Sequence, residues 1–444
     1  MTLWRRTAVP AAGTLCALIM CGAAIVFGRA DVALIGVALF VSVAVATRRP
    51  TATDSVEVTL TQTLEGEPSE HSPEQERSRP PGPGVRGGAH RPAAPVRIEV
   101  KAPDDVELVL LRITTLGFEV QQFALAPPAE LHARVPLAHS GEQELLAVEQ
   151  RAVSRSAAFV ADAAPRTSLH VVVEPELTPI RFLPVPHRLR GLTGAHQSGR
   201  PGDGGEFRDI HPFASGDRLR RVDWKATARL ARRPGDLYVR RTNATSDVDV
   251  AIVFDDADEV GEAVAEWTLG DPTLTGTTSM DVARNAAWSL ASAYLDAGDS
   301  VAFQVLSRAG GAVPRGSGGR QRERLKAAIA RTAPHPRFLT RARTPLVAPG
   351  AMIVLLSTFL DGDAVRLAAL WRAAGHRVLA VDTLPRPDAG ALNRRQLLAL
   401  RVVLGRRDER LLDLRAVGAD VVAWHRSPAE LAADLRSVSR PRRP

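Results

Sequence analysis

The chain has 444 residues, a formal net charge of +8, 5% aromatic residues and two cysteines. Both cysteines, Cys16 and Cys21, fall in the first apolar run, which excludes a disulfide framework and a cysteine-based metal site from everything downstream. Acids are interspersed with the bases and aromatics are few. That composition weighs against nucleic acid as a partner and favours an anionic membrane surface.

Ala8 to Phe27 is apolar and uncharged over about 20 residues, the length of a bilayer-spanning helix. Val32 to Ala46 is a second, shorter apolar run, separated from the first by Gly28-Arg29-Ala30-Asp31. Trp4, Arg5 and Arg6 precede the first run, and Arg48 and Arg49 follow the second. The positive-inside rule puts these flanks in the cytoplasm. Residues 1–49 are therefore expected to form a transmembrane hairpin of a multi-pass cell-membrane protein with both termini cytoplasmic. A cleaved signal peptide is the alternative. The Arg-rich start fits it, but the apolar run is long and no clear small-x-small cleavage site follows.

Residues 50–95 are rich in Pro, Gly, Ser, Glu and Arg and read as a largely disordered linker, apart from a candidate strand within Ser55 to Leu64. Residues 96–184 carry short apolar runs at Val96–Val100, Val106–Ile113, Leu131–Val135, Gly141–Gln150 and Leu169–Glu174. Their spacing predicts a small β-sandwich-like domain. Residues 247–438 alternate strand and helix. Strands are expected at Val248–Phe254, Ser300–Leu306, Ala351–Leu356, Arg377–Asp382 and Asp420–Trp424. Helices are expected at Met280–Ala297, Arg320–Arg331, Asp363–Ala374, around Arg394–Leu404, and at Pro428–Val438. This is the pattern of an α/β domain with a doubly wound parallel sheet, whose ligands sit at the carboxyl ends of the strands. Those ends are Asp255-Asp256, Ser357-Thr358 and Asp382-Thr383. Residues 439–444 form a basic tail.

Between the β-rich and α/β parts, residues 185–246 concentrate acids, bases, glycines and two large aromatics. Gly205-Glu206-Phe207-Arg208 is followed by Gly216-Asp217, Arg220-Arg221, Asp223-Trp224-Lys225 and Ala228-Arg229. This arrangement resembles the domain-of-unknown-function 58 family, whose C-terminal part is similar to a von Willebrand factor A-type domain. The family often has Arg-x-Tyr between the two halves, where this chain has Asp209-Ile210-His211-Pro212-Phe213. The resemblance implies a non-enzymatic interaction or assembly protein. The implied partners are a MoxR-type AAA+ ATPase and membrane-associated proteins. It also implies a Mg²⁺ site built on Asp-x-Ser-x-Ser after the first strand, plus a distant Thr and Asp. Here that run is Asp255-Asp256-Ala257-Asp258-Glu259, with both serines replaced, and the later Ser-Asp becomes Ser357-Thr358. Asp255, Asp256 and Asp258 remain as a degenerate metal candidate, to which Thr277, Thr278 and Ser279 could return hydroxyls. The other reading of this run is a solvated acidic loop at a strand end. No cofactor is expected, Mg²⁺ being the one ion the pattern leaves open.

Other chemistry finds little footing. Gly204-Gly205-Glu206-Phe207 is one residue short of the diguanylate cyclase string. Gly310-Gly311 and Gly316-Ser317-Gly318-Gly319 lack the Gly-Lys-(Ser/Thr) of a phosphate loop. His187, His196 and His211 match no zinc spacing, and no Gly-x-Ser-x-Gly elbow occurs. Within the charged block, Asp217 and Arg221 are spaced to face one another on a helical turn. Asp223 is placed to cap a short helix from Trp224 to Leu230, with Trp224 anchoring it against the α/β domain. The block is expected to be either a docking surface or, with more weight, an internal clamp between domains. A hydrolase or nucleic-acid-acting enzyme using Glu206, Asp217 and Asp223 is the competing functional class.

Overall fold

A computed structural model describes residues 4–47, 56–62, 93–115, 120–186, 196–267, 276–307, 312–335 and 344–440, with backbone alone at 196–206 and 243–246. Most of the expected linker lies outside the described residues, as do Arg48, Arg49, His187 and Gly310-Gly311. Apart from Val56, the described pieces of the linker lie in two strands, Glu57–Gln62 and Ala93–Lys101. The fold is mixed α/β. It comprises an N-terminal helix pair, an antiparallel β region and a mostly parallel C-terminal sheet. The chain divides into two compact units, residues 1–138 with 143–171, and residues 139–142 with 172–444.

In the first unit, α1 (Val9–Phe27) has 19 residues and a mean hydropathy of 2.1, long and apolar enough to cross a membrane. The apolar helix α2 (Ala30–Ala46) is shorter, at 17 residues. Gly28 ends α1 in the left-handed conformation and returns its N–H to the Ala24 carbonyl, which makes the tight reversal. The two helices approach closely through small residues. A Cβ on Gly13 would stand 2.6 Å from Val43 Cγ2, and one on Gly36 would stand 2.6 Å from Cys21 Sγ.

The β region holds β1 (Trp4–Arg6), β2 (Glu57–Gln62), β3 (Ala93–Lys101), β4 (Val106–Thr115), β5 (Val120–Leu125), β6 (Ala129–Pro136), β7 (Gly141–Ser154), β8 (Phe159–Ala161) and β9 (Thr167–Val173). One antiparallel sheet has the order β1-β8-β7-β4-β5, with β9 also paired to β7, and the other has the order β2-β3-β6. Alternation explains their burial: Val96, Ile98 and Val100 on β3 and Val109, Leu111 and Ile113 on β4 are buried while intervening residues face out. The strands β1, β5 and β8 were not expected. The two Gln residues of β5 hide its pattern, β8 is three residues long, and Trp4-Arg5-Arg6 reads as the flank of the apolar run.

The second unit starts with a hairpin of β10 (His196–Pro212) and β11 (Tyr238–Ser246), with α3 (Trp224–Leu230) in its connection. Then follow β12 (Asp249–Phe254), α4 (Ser279–Asp296), β13 (Ser300–Val305), β14 (Val313–Gly316), α5 (Gly318–Ala330), β15 (Met352–Ser357), α6 (Asp363–Ala373), β16 (Arg377–Asp382), α7 (Arg394–Ala416), β17 (Asp420–Ala423) and α8 (Pro428–Ser439). The sheet order is β14-β13-β12-β15-β16-β17, parallel throughout except for the edge strand β14. Side chains alternate between its faces. Val250, Ile252, Phe254, Val354 and Leu356 pack with α4, α5 and α8, while Val253, Ile353, Leu355 and Ala380 pack with α6 and α7. Helix α7 runs twelve residues past the expected end at Leu404, because Leu411 and Leu414 continue its buried stripe. The antiparallel β14 was missed, since Val313-Pro314-Arg315-Gly316 carries no strand periodicity.

Candidate functional site

The strand order reverses direction at β12. Its chain successor β13 lies on one side and β15 on the other. This is the switch point where an open parallel sheet leaves a crevice at its carboxyl end. Asp255 and Ser357 leave the two adjoining strands there. The Ser357 hydroxyl donates to Asp255 Oδ2 at 2.7 Å and accepts the Phe359 N–H at 3.0 Å. Phe359 is fully buried at φ 55°, a left-handed conformation that a bulky residue adopts only under constraint. The Thr358 hydroxyl reaches Asp258 Oδ2 at 3.3 Å. Asp256 turns elsewhere: it is buried and accepts hydrogen bonds from the Ser307 N–H and hydroxyl. Asp382, at the end of β16, forms a buried ion pair with Arg407, whose Nε donates to the Thr358 carbonyl at 2.8 Å.

Asp255, Asp256 and Asp258 thus each accept from a hydroxyl at this end of the sheet, those of Ser357, Ser307 and Thr358 respectively. Among the described residues, no group of three or more His, Cys, Asp or Glu is placed to hold a metal ion. Ser279 and Thr278 do supply hydroxyls at this end of the sheet. Ser279 Oγ donates to the Asp258 carbonyl at 3.1 Å, and Thr278 Oγ1 lies 3.3 Å from Glu259 Oε1.

Glu259 leads into a cluster that sequence reasoning missed. Thr278 and Asp281 form a reciprocal capping box at the start of α4. Asp281 is then ringed by donors: the Ser140 N–H at 2.7 Å, the Ser140 hydroxyl at 2.8 Å and His139 Nδ1 at 2.8 Å. The buried Arg284 gives Nη1 to the Ser140 carbonyl and Nη2 to the Thr332 carbonyl, both at 2.7 Å. Burial by itself would raise the Asp281 carboxyl; the hydrogen bond and charge of His139, with the Thr278 and Ser140 N–H groups, outweigh burial and hold it below its ordinary value. Burial raises Glu259 above its ordinary value, against the pull of the Arg284 charge. The two acids are thus shifted in opposite directions on either side of the Thr278 hydroxyl. The capping box was readable as Thr-x-x-Asp. The partnership with His139 and Ser140 carried no local signal.

The signature block forms the β10–β11 hairpin. Gly205 and Glu206 lie in β10, in the stretch described by backbone alone, as does His196. Phe207 and Arg208 follow them on exposed positions, and the Arg240 guanidinium sits 5.3 Å from the Phe207 ring centre. Gly216 takes φ 99° in the turn. Asp217 does not pair with Arg221 as the helical spacing predicted. This stretch is a turn and a 3-10 segment, Leu219–Arg221, and Asp217 Oδ2 instead accepts the Ala214 N–H at 2.9 Å and Arg241 Nη2 at 3.3 Å. Asp223 caps α3 by accepting the Ala226 N–H at 2.9 Å, as its position predicted. Of Glu206, Asp217 and Asp223, the two with described side chains, Asp217 and Asp223, therefore hold backbone turns.

Trp224 departs from expectation most. It is 70% exposed rather than packed as an anchor. Val222 and Ala226 form the buried stripe of this short element, beside the buried Val239 of β11. A residue two positions from both lands on the opposite side of the turn. Lys225, Ala228 and Arg229 are exposed beside it. Arg220, Arg221, Val222, Asp223, Trp224, Arg240 and Thr242 line a concavity of about 570 Å³.

Compared with known proteins, residues 209–392 match a family model described as Protein of unknown function DUF58. The match begins within β10 and ends just before α7, so it takes in α3, β11 and the switch point. No curated protein and no solved structure matches the chain.

Proposed function

From a chain that carries a DUF58 family domain at residues 209–392, we propose a membrane-anchored, non-enzymatic interaction or assembly protein. In this reading the C-terminal domain is von Willebrand A-like and works with a MoxR-type AAA+ ATPase. The observation that carries the reading is Trp224: a tryptophan left 70% exposed on an ordered, capped helix and surrounded by arginines. Tryptophan and arginine are the residues most enriched where binding energy concentrates, and a large apolar ring kept in water has no folding role to explain it.

The anchor in this proposal is the helix pair, with both termini cytoplasmic. Support comes from the first unit. Upstream of α1, β1 pairs with β8; at the end of α2, the Ala46 carbonyl accepts the Ser156 hydroxyl at 3.0 Å. Chain entry and exit both meet the β7–β8 hairpin, which a helix pair crossing twice allows. The arginines on both flanks support a cytoplasmic placement of that side.

Crosslinked pull-down from native membranes tests the proposal. An AAA+ ATPase is expected to co-purify with the wild-type chain and to fall by about tenfold for Trp224→Ala, the scale of one interface anchor. Recovery of no AAA+ ATPase with either form would remove the reading.

A further inference from the structure

The concavity beside Trp224 has a definite chemistry. Among the described residues, its lining supplies the guanidinium groups of Arg220, Arg221 and Arg240 and the carboxylate of Asp223. Asp223 already accepts the Ala226 N–H at the start of α3, so its charge is partly satisfied from within. The exposed Trp224 is part of the same lining, and Lys225 and Arg229 extend the basic surface on α3. We propose that this concavity is a docking site for an acidic segment of a partner protein, whose carboxylates pair with Arg220 and Arg240 while an apolar side chain of the segment covers Trp224.

The shape and composition favour a peptide over the two other anionic partners. The concavity, at about 570 Å³, accepts a few protruding side chains, whereas a lipid leaflet presents a broad surface. Single-stranded nucleic acid needs a run of stacking rings along a basic groove. Among the described residues the lining holds one aromatic ring, Trp224, and the nearby Phe207 is faced by Arg240. Arginine suits carboxylates because its planar fork can present two parallel N–H donors. This inference rests on the interaction reading above and adds the chemistry of the partner and the place where it binds.

The test uses the full chain in nanodiscs of neutral phosphatidylcholine and a fluorescein-labelled, glutamate-rich peptide carrying one central leucine. Fluorescence anisotropy should show saturable binding that weakens by about tenfold between about 50 and 300 mM salt. Arg220→Glu with Arg240→Glu should weaken it by at least about tenfold, and Trp224→Ala by about fivefold or more. Arg232→Glu with Arg233→Glu, exposed on the same hairpin but outside the concavity, should leave binding within about twofold. Because Trp224 is exposed, its alanine variant keeps the test decisive even where the charge reversals disturb the hairpin. An equal loss with the Arg232 and Arg233 variant would mean diffuse charge and overturn the proposal. So would stronger binding to vesicles of phosphatidylcholine and phosphatidylglycerol, or to oligothymidylate, than to the peptide. If the peptide fails to bind while an AAA+ ATPase still co-purifies in a Trp224-dependent way, the acidic chemistry is wrong and the interaction reading stands.

Discussion

His139 Nδ1 lies 2.8 Å from Asp281 Oδ2, although 142 positions separate the two residues in the chain. The contact joins the segment 139–142 to the first turn of α4, where Asp281 also closes the capping box with Thr278. One carboxylate thereby satisfies a helix N-terminus, a serine and an imidazole together. Removing its charge should be felt at all three.

Asp281→Asn is expected to cost about 2–3 kcal/mol at neutral pH, the scale for a largely buried charge-assisted hydrogen bond left short of its acceptor. Its pH dependence has a definite sign. The folded-state pKa of Asp281 is lowered, so its stabilisation is present above the ordinary aspartate value of about 4 and is lost as pH falls through the folded-state value. Urea midpoints of the full chain in detergent should therefore drop more steeply on acidification for wild type than for Asp281→Asn. Parallel curves would contradict the assignment.

Glu259 should behave oppositely. Its folded-state pKa is raised, chiefly by burial, so the folded state holds its proton more tightly than the unfolded one. Wild type then loses stability as pH rises from about 4.3 through the raised value. Glu259→Gln removes that titration, and its stability relative to wild type should climb over this window and level off above it. The same urea series measures it, and a flat difference would place Glu259 in a solvated site.

Gly141 approaches Arg284 so closely that a Cβ would stand 2.5 Å from the guanidinium carbon, and its φ is 94°. Gly141→Ala should destabilise by about 2–3 kcal/mol, because backbone strain and displacement of a buried arginine act together. Differential scanning calorimetry of the full chain would report it. Retention of the wild-type melting temperature would show that the arginine moves freely.

Asp223 and Trp224 are neighbours with different roles. Asp223→Ala removes the N-cap of α3 and should cost about 1 kcal/mol. Trp224→Ala should change stability by less than about 0.5 kcal/mol, because the ring is mostly in water. Urea denaturation of both variants separates the roles, and a large loss from Trp224→Ala would return the residue to the packing role that its size first suggested.

Much of the architecture was legible because its signals are local. The apolar length of α1, the five parallel strands of the second unit and the helices between them follow from composition and period over short windows. The Asp223 cap was legible for the same reason: donor and acceptor sit three residues apart. The antiparallel edge β14 and the short β1 and β8 were not, since three or four residues define no period and their pairing partners lie elsewhere in the chain.

By itself the sequence determined the alternation of strand and helix, the apolar entry, the family resemblance and the identity of the charged side chains. The tertiary structure decided where those side chains are directed. Parallel register brings Ser357 beside Asp255, 102 residues away, and turns the expected metal ligands toward hydroxyls. The packing of Val222 and Ala226 toward β11 sends Trp224 outward, so the residue that marked the block as unusual becomes its exposed face. Backbone period depends on neighbours in the chain. The partner of a carboxylate and the solvent side of a ring depend on neighbours in space, which exist only once the sheet and the hairpin have formed.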